Sequence, residues 1–220
     1  MNLIQRVKDI LLTPKTTWPQ IDQEPTDVKS LYTNYIIFLA AIPAVASFIG
    51  MSLFGIGMFG ISFRVPVLSG LTQMIVGYAL SLGLVFLLAL VVDALAPTFG
   101  GEKNQISALK LVAYGTTASF VGGIFGLLPA LSILSVLTGI YSIYLIYTGV
   151  PVLMKCPPEK ATGYTAAIVG CGIVAGIVVA AVMAALIPSG GPGPFGMMGA
   201  SGDSGNFTIS TPAGDINAAN

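Results

Sequence analysis

Residues 71–95, LTQMIVGYALSLGLVFLLALVVDAL, are apolar almost throughout and carry a single charge, Asp93. A helix rises about 1.5 Å per residue, and a hydrocarbon core about 30 Å thick asks for roughly 20 apolar residues. No face of such a helix is polar enough to meet water, so this stretch reads as a membrane span. Working outward, residues 35–58, 111–128, 130–154 and 166–187 have the same character. Hydrophobic residues make up 55% of the chain and charged residues 8%, against about 25% charged in soluble domains. There are too few polar side chains here to build a water-facing shell.

The expected fold class is therefore an all-α integral membrane protein, a five-helix bundle. Residues 1–33 form a cytoplasmic amphipathic or interfacial segment, residues 34–187 the membrane domain, and residues 188–220 a disordered tail. That tail is rich in Gly, Pro, Ser, Asn and Ala and contains no Lys or Arg, a composition that cannot bury enough apolar surface to order itself. Cytoplasmic loops are enriched in Lys and Arg. Placing the N-terminus in the cytoplasm puts Arg6, Lys8, Lys15, Lys29, Lys103, Lys110, Lys155 and Lys160 inside and leaves only Arg64 outside. The tail then lies beyond the membrane. Zero net charge provides no basic field for nucleic acid, so the bilayer is the primary partner.

Ahead of the first span, Leu3, Ile4, Val7, Ile10 and Leu11 recur at helical spacing. Such a stripe serves equally to lie in the membrane interface or to pack on the end of the bundle. Arg6 and Lys8 flank it as interface anchors, their stems along lipid and their charges among headgroups. Pro14 is expected to end this helix, followed by an extended turn at residues 16–19. Trp18, the only tryptophan, reads as a headgroup-depth anchor. Thr26 is the expected cap of the next helix.

Few residues can carry chemistry. Histidine is absent, and the two cysteines, Cys156 and Cys171, have no metal-ligand spacing; free thiols and no cofactor are expected. Asp93 is the one acid inside a span, and an intramembrane acid is a functional candidate; it also lies close enough to the loop to pair with Lys103 or Lys110. Tyr141, Tyr144 and Tyr147 recur every three residues on the fourth span, with Tyr114 near the inner end of the third. They read either as a polar-lined groove or as helix contacts with each hydroxyl bonded to a neighbour. Small residues form two stripes, Ser119, Gly122, Gly123 and Gly126 on the third span and Gly170, Gly172 and Gly176 on the fifth. Their spacing lets helix backbones approach closely, within one chain or between chains. A catalytic site needs titratable groups around a reacting atom, and this chain offers almost none; it is not expected to be an enzyme.

Several local features taken in order resemble the Yip family, named for proteins interacting with Ypt/Rab GTPases, and its bacterial branch in particular. They are VKDILLTP at residues 7–14 with Trp18 and Glu24-Pro25, then Asp93 with Gly100-Gly101, then Ala108-Leu109-Lys110 and Ala113-Tyr114, and finally Pro129 leading into GIYSIYLIYTG at residues 139–149. The resemblance implies a five-helix integral membrane domain with a cytoplasmic N-terminus, here in a bacterial inner membrane. In eukaryotic relatives it implies vesicle traffic and small-GTPase partners; a polar segment of only 33 residues does not lead us to expect that partnership in this chain. The functional expectation is a non-enzymatic membrane protein acting through membrane-protein partners, self-association or membrane organisation. The alternative is a small transporter, channel or lipid-handling protein with a path along Asp93 and the tyrosine face.

Overall fold

Five helices in the computed structural model are long and apolar enough to cross a membrane: Val28–Ile49, Val67–Phe99, Gln105–Leu127, Ile133–Leu153 and Pro158–Ala185. The structure describes residues 2–50, 52, 56–58, 61–63, 67–127, 131–186, 207–211 and 214–218. Arg64, and Pro129 between the third and fourth spans, lie outside the described residues.

The first span differs most from its sequence boundaries. It begins two turns before Tyr35, with Asp27 rather than Thr26 in the extended N-cap position. A π-helical turn, Tyr32–Ile36, interrupts it. It stops at Ile49 instead of Met58, because the following segment pairs as two short strands, β1 (Ile56–Met58) and β2 (Ile61–Phe63), with Gly57 opposite Ser62. The segment contains Gly55, Gly57 and Gly60, and glycine weakens a helix interior by up to about 1 kcal/mol per residue. The fifth span begins eight residues before Ala166, with Pro158 at its start and Glu159 in the first turn, where a carboxylate favours the helix dipole.

Two helices precede the spans, α1 (Leu3–Leu12) and α2 (Pro14–Gln23). The Asn2 side chain caps α1. Pro14 does not merely close α1; it opens α2, because its fixed φ and missing N–H suit a first helical turn. Pro19 therefore sits inside a helix where an extended turn was expected.

The second span packs on the first, third and fifth, and the fourth on the third, the fifth and α2. The second span ends in a 3-10 turn (Ala96–Phe99) that leads to Gly100, whose φ of 74° closes the helix in the left-handed region. Gly101 follows so close to the end of the fourth span that a Cβ there would lie 2.7 Å from the Met154 carbonyl. Asn104 then caps the third span, its side chain accepting from the Ile106 and Ser107 amides at 3.0 Å.

Burial concentrates at the end of the bundle that carries α1 and α2, where every residue from Ala108 to Gly115 is buried. The fully buried residues of the fifth span lie in its first third, at Ala161, Tyr164, Thr165 and Ile168; beyond that Ile173, Val174, Ile177 and Val178 are each more than half exposed.

The chain divides into Met1–Ile187 and Pro188–Asn220. In the second unit, where composition suggests no order, the described residues form one antiparallel pair, β3 (Phe207–Thr211) with β4 (Gly214–Ala218), Ile209 facing Ile216.

Cys156, read from sequence as a loop thiol, is buried at 4% exposure between the fourth and fifth spans. Burial pushes its thiol up from the ordinary range, and the thiolate is the reacting form. A membrane-impermeant maleimide should therefore modify Cys156 slowly at neutral pH, faster as the pH rises, and promptly after denaturation. Fast modification of the folded protein at neutral pH would contradict this packing.

Candidate functional site: a charged lock at one end of the bundle

Lys110 is the residue around which this end is organised. It was expected in a loop, yet it lies inside the third span at 5% exposure. A buried ammonium needs hydrogen-bond acceptors, and the last carbonyls of a helix are unpaired and partly negative. Lys110 Nζ meets both needs at the C-terminal end of α2, donating to the Ile21 carbonyl at 2.7 Å and the Glu24 carbonyl at 2.6 Å.

Two ion pairs bracket this contact. The Glu24 carboxylate pairs with Arg6 of α1, and Asp22 pairs with Lys155 just past the fourth span. Arg6 is itself 5% exposed, with its guanidinium 5.9 Å above the centre of the Tyr114 ring, within cation–π range. Its Nη1 is buried without a hydrogen-bond partner among the described residues.

An apolar seam runs beneath the charges. Trp18 is fully buried and fits because position 149 is glycine: a Cβ on Gly149 would come within 2.7 Å of the indole and of Leu111. The indole N–H donates to Thr148 Oγ1 at 3.1 Å. The Tyr141 hydroxyl donates to the Leu11 carbonyl at 2.6 Å, which ties the α1–α2 turn to the fourth span. The π-helical turn faces its tyrosines to different neighbours. Tyr35 Oη and Thr117 Oγ1 are 2.7 Å apart, with the Tyr35 ring 4.5 Å from that of Tyr114. Tyr32 donates to the Leu82 carbonyl of the second span at 2.9 Å.

The sequence candidates fall in different places. Tyr114, Tyr141, Arg6 and Trp18 meet in this lock, so Arg6 and Trp18 are internal ties rather than headgroup anchors; Lys8 is exposed. Tyr144, at the middle of the fourth span, and Tyr147, nearer its end, are about 40% exposed and stand outside the lock. Asp93 is not paired with Lys103 or Lys110: the ion pairs among the described residues are the two above. It lies beside Tyr164, whose hydroxyl donates to the Val92 carbonyl, and Asp93 Oδ1 is buried without a partner among the described residues.

The glycine stripes also separate. A Cβ on Gly122 would overlap Thr138 of the fourth span, and one on Gly123 would lie 2.9 Å from Pro43 Cα, while Ser119 bonds Ser142 through both its amide and its hydroxyl. The first stripe is thus an internal seam. On the fifth span Gly170 and Gly176 face open space, and Gly172 has only Leu88 nearby at 3.8 Å.

Sequence reasoning missed Asp22, Glu24, Lys110 and Lys155 as partners. The available signal was Trp18 and Ile21, three apart on a short helix beside two acids, together with a lysine inside an apolar run. As chemistry, the arrangement binds its own charges to one another and presents no nucleophile beside a base.

With this geometry in view, comparison with family models matches the Yip1 domain over residues 8–199. The chain belongs to the Yip1 domain family. The match takes in α2 and all five spans, so the lock lies within the Yip1 domain except for Arg6, which precedes the matched residues. The Yip1 family is not a known enzyme family. Neither the curated proteins nor the solved structures contain a match.

Trp18→Ala should lower thermal stability in detergent by about 3–5 kcal/mol, as removal of a large buried aromatic does, and should open α1 and α2 to trypsin at Lys8 and Lys15. Trp18→Phe, which loses mainly the bond to Thr148, should be milder. An alanine variant as stable and protease-resistant as the parent would show that the tryptophan does not hold α2 in place.

Proposed function

We propose that this Yip1-domain protein is a non-enzymatic membrane scaffold that acts by side-to-side contact with other membrane helices, either of partner proteins or of a second copy. The observation that carries this reading is the fifth span. Beyond Ile168 it has no fully buried residue, Ile173, Val174, Ile177 and Val178 are more than half exposed, and Gly170 and Gly176 meet nothing within 4 Å. Lipid-facing surfaces gain nothing from glycine, whereas helix–helix contacts in a membrane are enriched in small residues that let backbones approach.

In the same reading the locked end faces the cytoplasm of a bacterial inner membrane and the chain after the fifth span lies outside. The support is the gathering of Arg6, Lys8, Lys15, Lys110, Lys155 and Lys160 at that end, as the positive-inside bias requires. Small-GTPase binding is not part of the proposal: Arg6, Asp22 and Glu24, which would present charge to a soluble partner, are already paired within the chain. A transport path along Asp93 and the tyrosine face draws no support either. Two cavities stand out among the described residues, and neither is lined by Asp93, Tyr114, Tyr141, Tyr144 or Tyr147.

The test separates the two stripes. Gly170→Leu and Gly176→Leu should leave thermal stability unchanged while reducing the assembled fraction seen by particle mass in mild detergent and by crosslinking in membranes. Gly122→Leu should instead destabilise the bundle, since its side chain would overlap Thr138. Unchanged assembly in both fifth-span variants would remove the proposed contact face.

A further inference from the structure

Towards the opposite end of the bundle from the lock, the first and second spans flank an open cavity of about 300 Å³. Its apolar wall is Ala40, Pro43, Ala44, Phe48 and Met74; its polar groups are Ser47, Gln73, Tyr78 and Ser81. A mostly apolar cavity with a few convergent polar groups is the usual form of a small-molecule site.

The polar groups differ in whether they are already satisfied. Towards the bundle middle, the Tyr78 hydroxyl donates to the Ile37 carbonyl at 3.0 Å and the Ser81 hydroxyl to the Tyr78 carbonyl at 2.7 Å. Towards the opposite end, Ser47 and Gln73 make no side-chain hydrogen bond among the described residues. Next to them, beside Gly70 of the cavity wall, the Ser52 Oγ is buried and has no partner among the described residues. Gln73 is six residues into its span, about 9 Å from the end at the helical rise. An unpaired amide at that depth costs free energy unless something bonds it.

We propose that this cavity binds a neutral amphiphile from the bilayer, a molecule with a hydroxyl or carbonyl head and an apolar body, of which diacylglycerol is a representative. The head lies at Gln73 and Ser47, which offer both donors and acceptors. The body follows Ala44, Met74 and Gly77 towards the satisfied Tyr78 and Ser81. Among the described residues no Asp, Glu, Lys or Arg lines the cavity, so a charged head gains no counter-ion from them, and entry between two spans is open to a molecule already dissolved in lipid.

The test uses the full chain in phosphatidylcholine nanodiscs with a diacylglycerol carrying a diazirine in its acyl chain. Irradiation and peptide mass spectrometry should place adducts on residues 40–48 or 70–81. Excess unlabelled diacylglycerol should compete, and phosphatidylglycerol of the same chains should not. Gln73→Leu should reduce labelling about fivefold, the weight of one neutral hydrogen bond, and Ala44→Phe should fill the space and abolish it, with circular dichroism and gel filtration confirming an intact bundle. Adducts spread evenly over the spans, equal competition by phosphatidylglycerol, or undiminished labelling of a folded Gln73→Leu variant would each overturn the proposal.

Discussion

A buried ammonium that must be neutralised governs the architecture of the charged end. Lys110 can be dehydrated only if acceptors reach it, and those acceptors are the Ile21 and Glu24 carbonyls. That requirement fixes where α2 ends. With α2 so placed, Trp18 needs the space left by Gly149, Asp22 reaches Lys155, and Glu24 draws Arg6 and therefore α1 inward. Removing the acceptors of the two buried cations, Lys110 and Arg6, leaves each uncompensated and is costly, whereas the more exposed Asp22–Lys155 pair adds little. The lock is therefore best understood as specifying one arrangement of α1, α2 and the spans.

The spans were legible because their signal is composition over length, which a bilayer enforces directly. Residues 71–95 needed no partner to be read. The ends of the spans were less legible. Leu71 continues backward to Val67 and Ala166 to Pro158 because helix hydrogen bonding tolerates polar residues such as Thr162 and Lys160 that a hydropathy reading takes as loop. Met58 failed as a helix end because glycine content and strand pairing, not hydropathy, decide the conformation there. The site was legible by residue type but not by role. Arg6 and Trp18 have the chemistry of interface anchors, and only the fold shows that a glycine 131 positions after Trp18 makes room for it.

The two glycine stripes show the same limit more sharply. GxxxG spacing states that two backbones can come close; it does not state whose. At Gly122 and Gly123 the partners are Thr138 and Pro43 of the same chain, so the stripe is consumed in folding. At Gly170 and Gly176 no neighbouring side chain comes within 4 Å of the position a Cβ would take, and the stripe is left free. Identical local sequence logic thus yields a structural seam in one helix and an available face in another.

That difference follows the long axis of the bundle. At one end, Lys110, Trp18, Tyr35 and Tyr141 each have a hydrogen-bond partner, and the packing leaves no room for a side chain at Gly101 or Gly149. At the other, Ser47, Ser52 and Gln73 have polar capacity unspent among the described residues, and much of the fifth span is exposed. Protein regions with few buried contacts are the ones that can open or rearrange at low free-energy cost. A membrane protein built in this way anchors its geometry where its charges are and keeps its adaptable surfaces within lipid. Partners and ligands that arrive through the bilayer would therefore meet the loosely packed end first, without disturbing the lock that defines the fold.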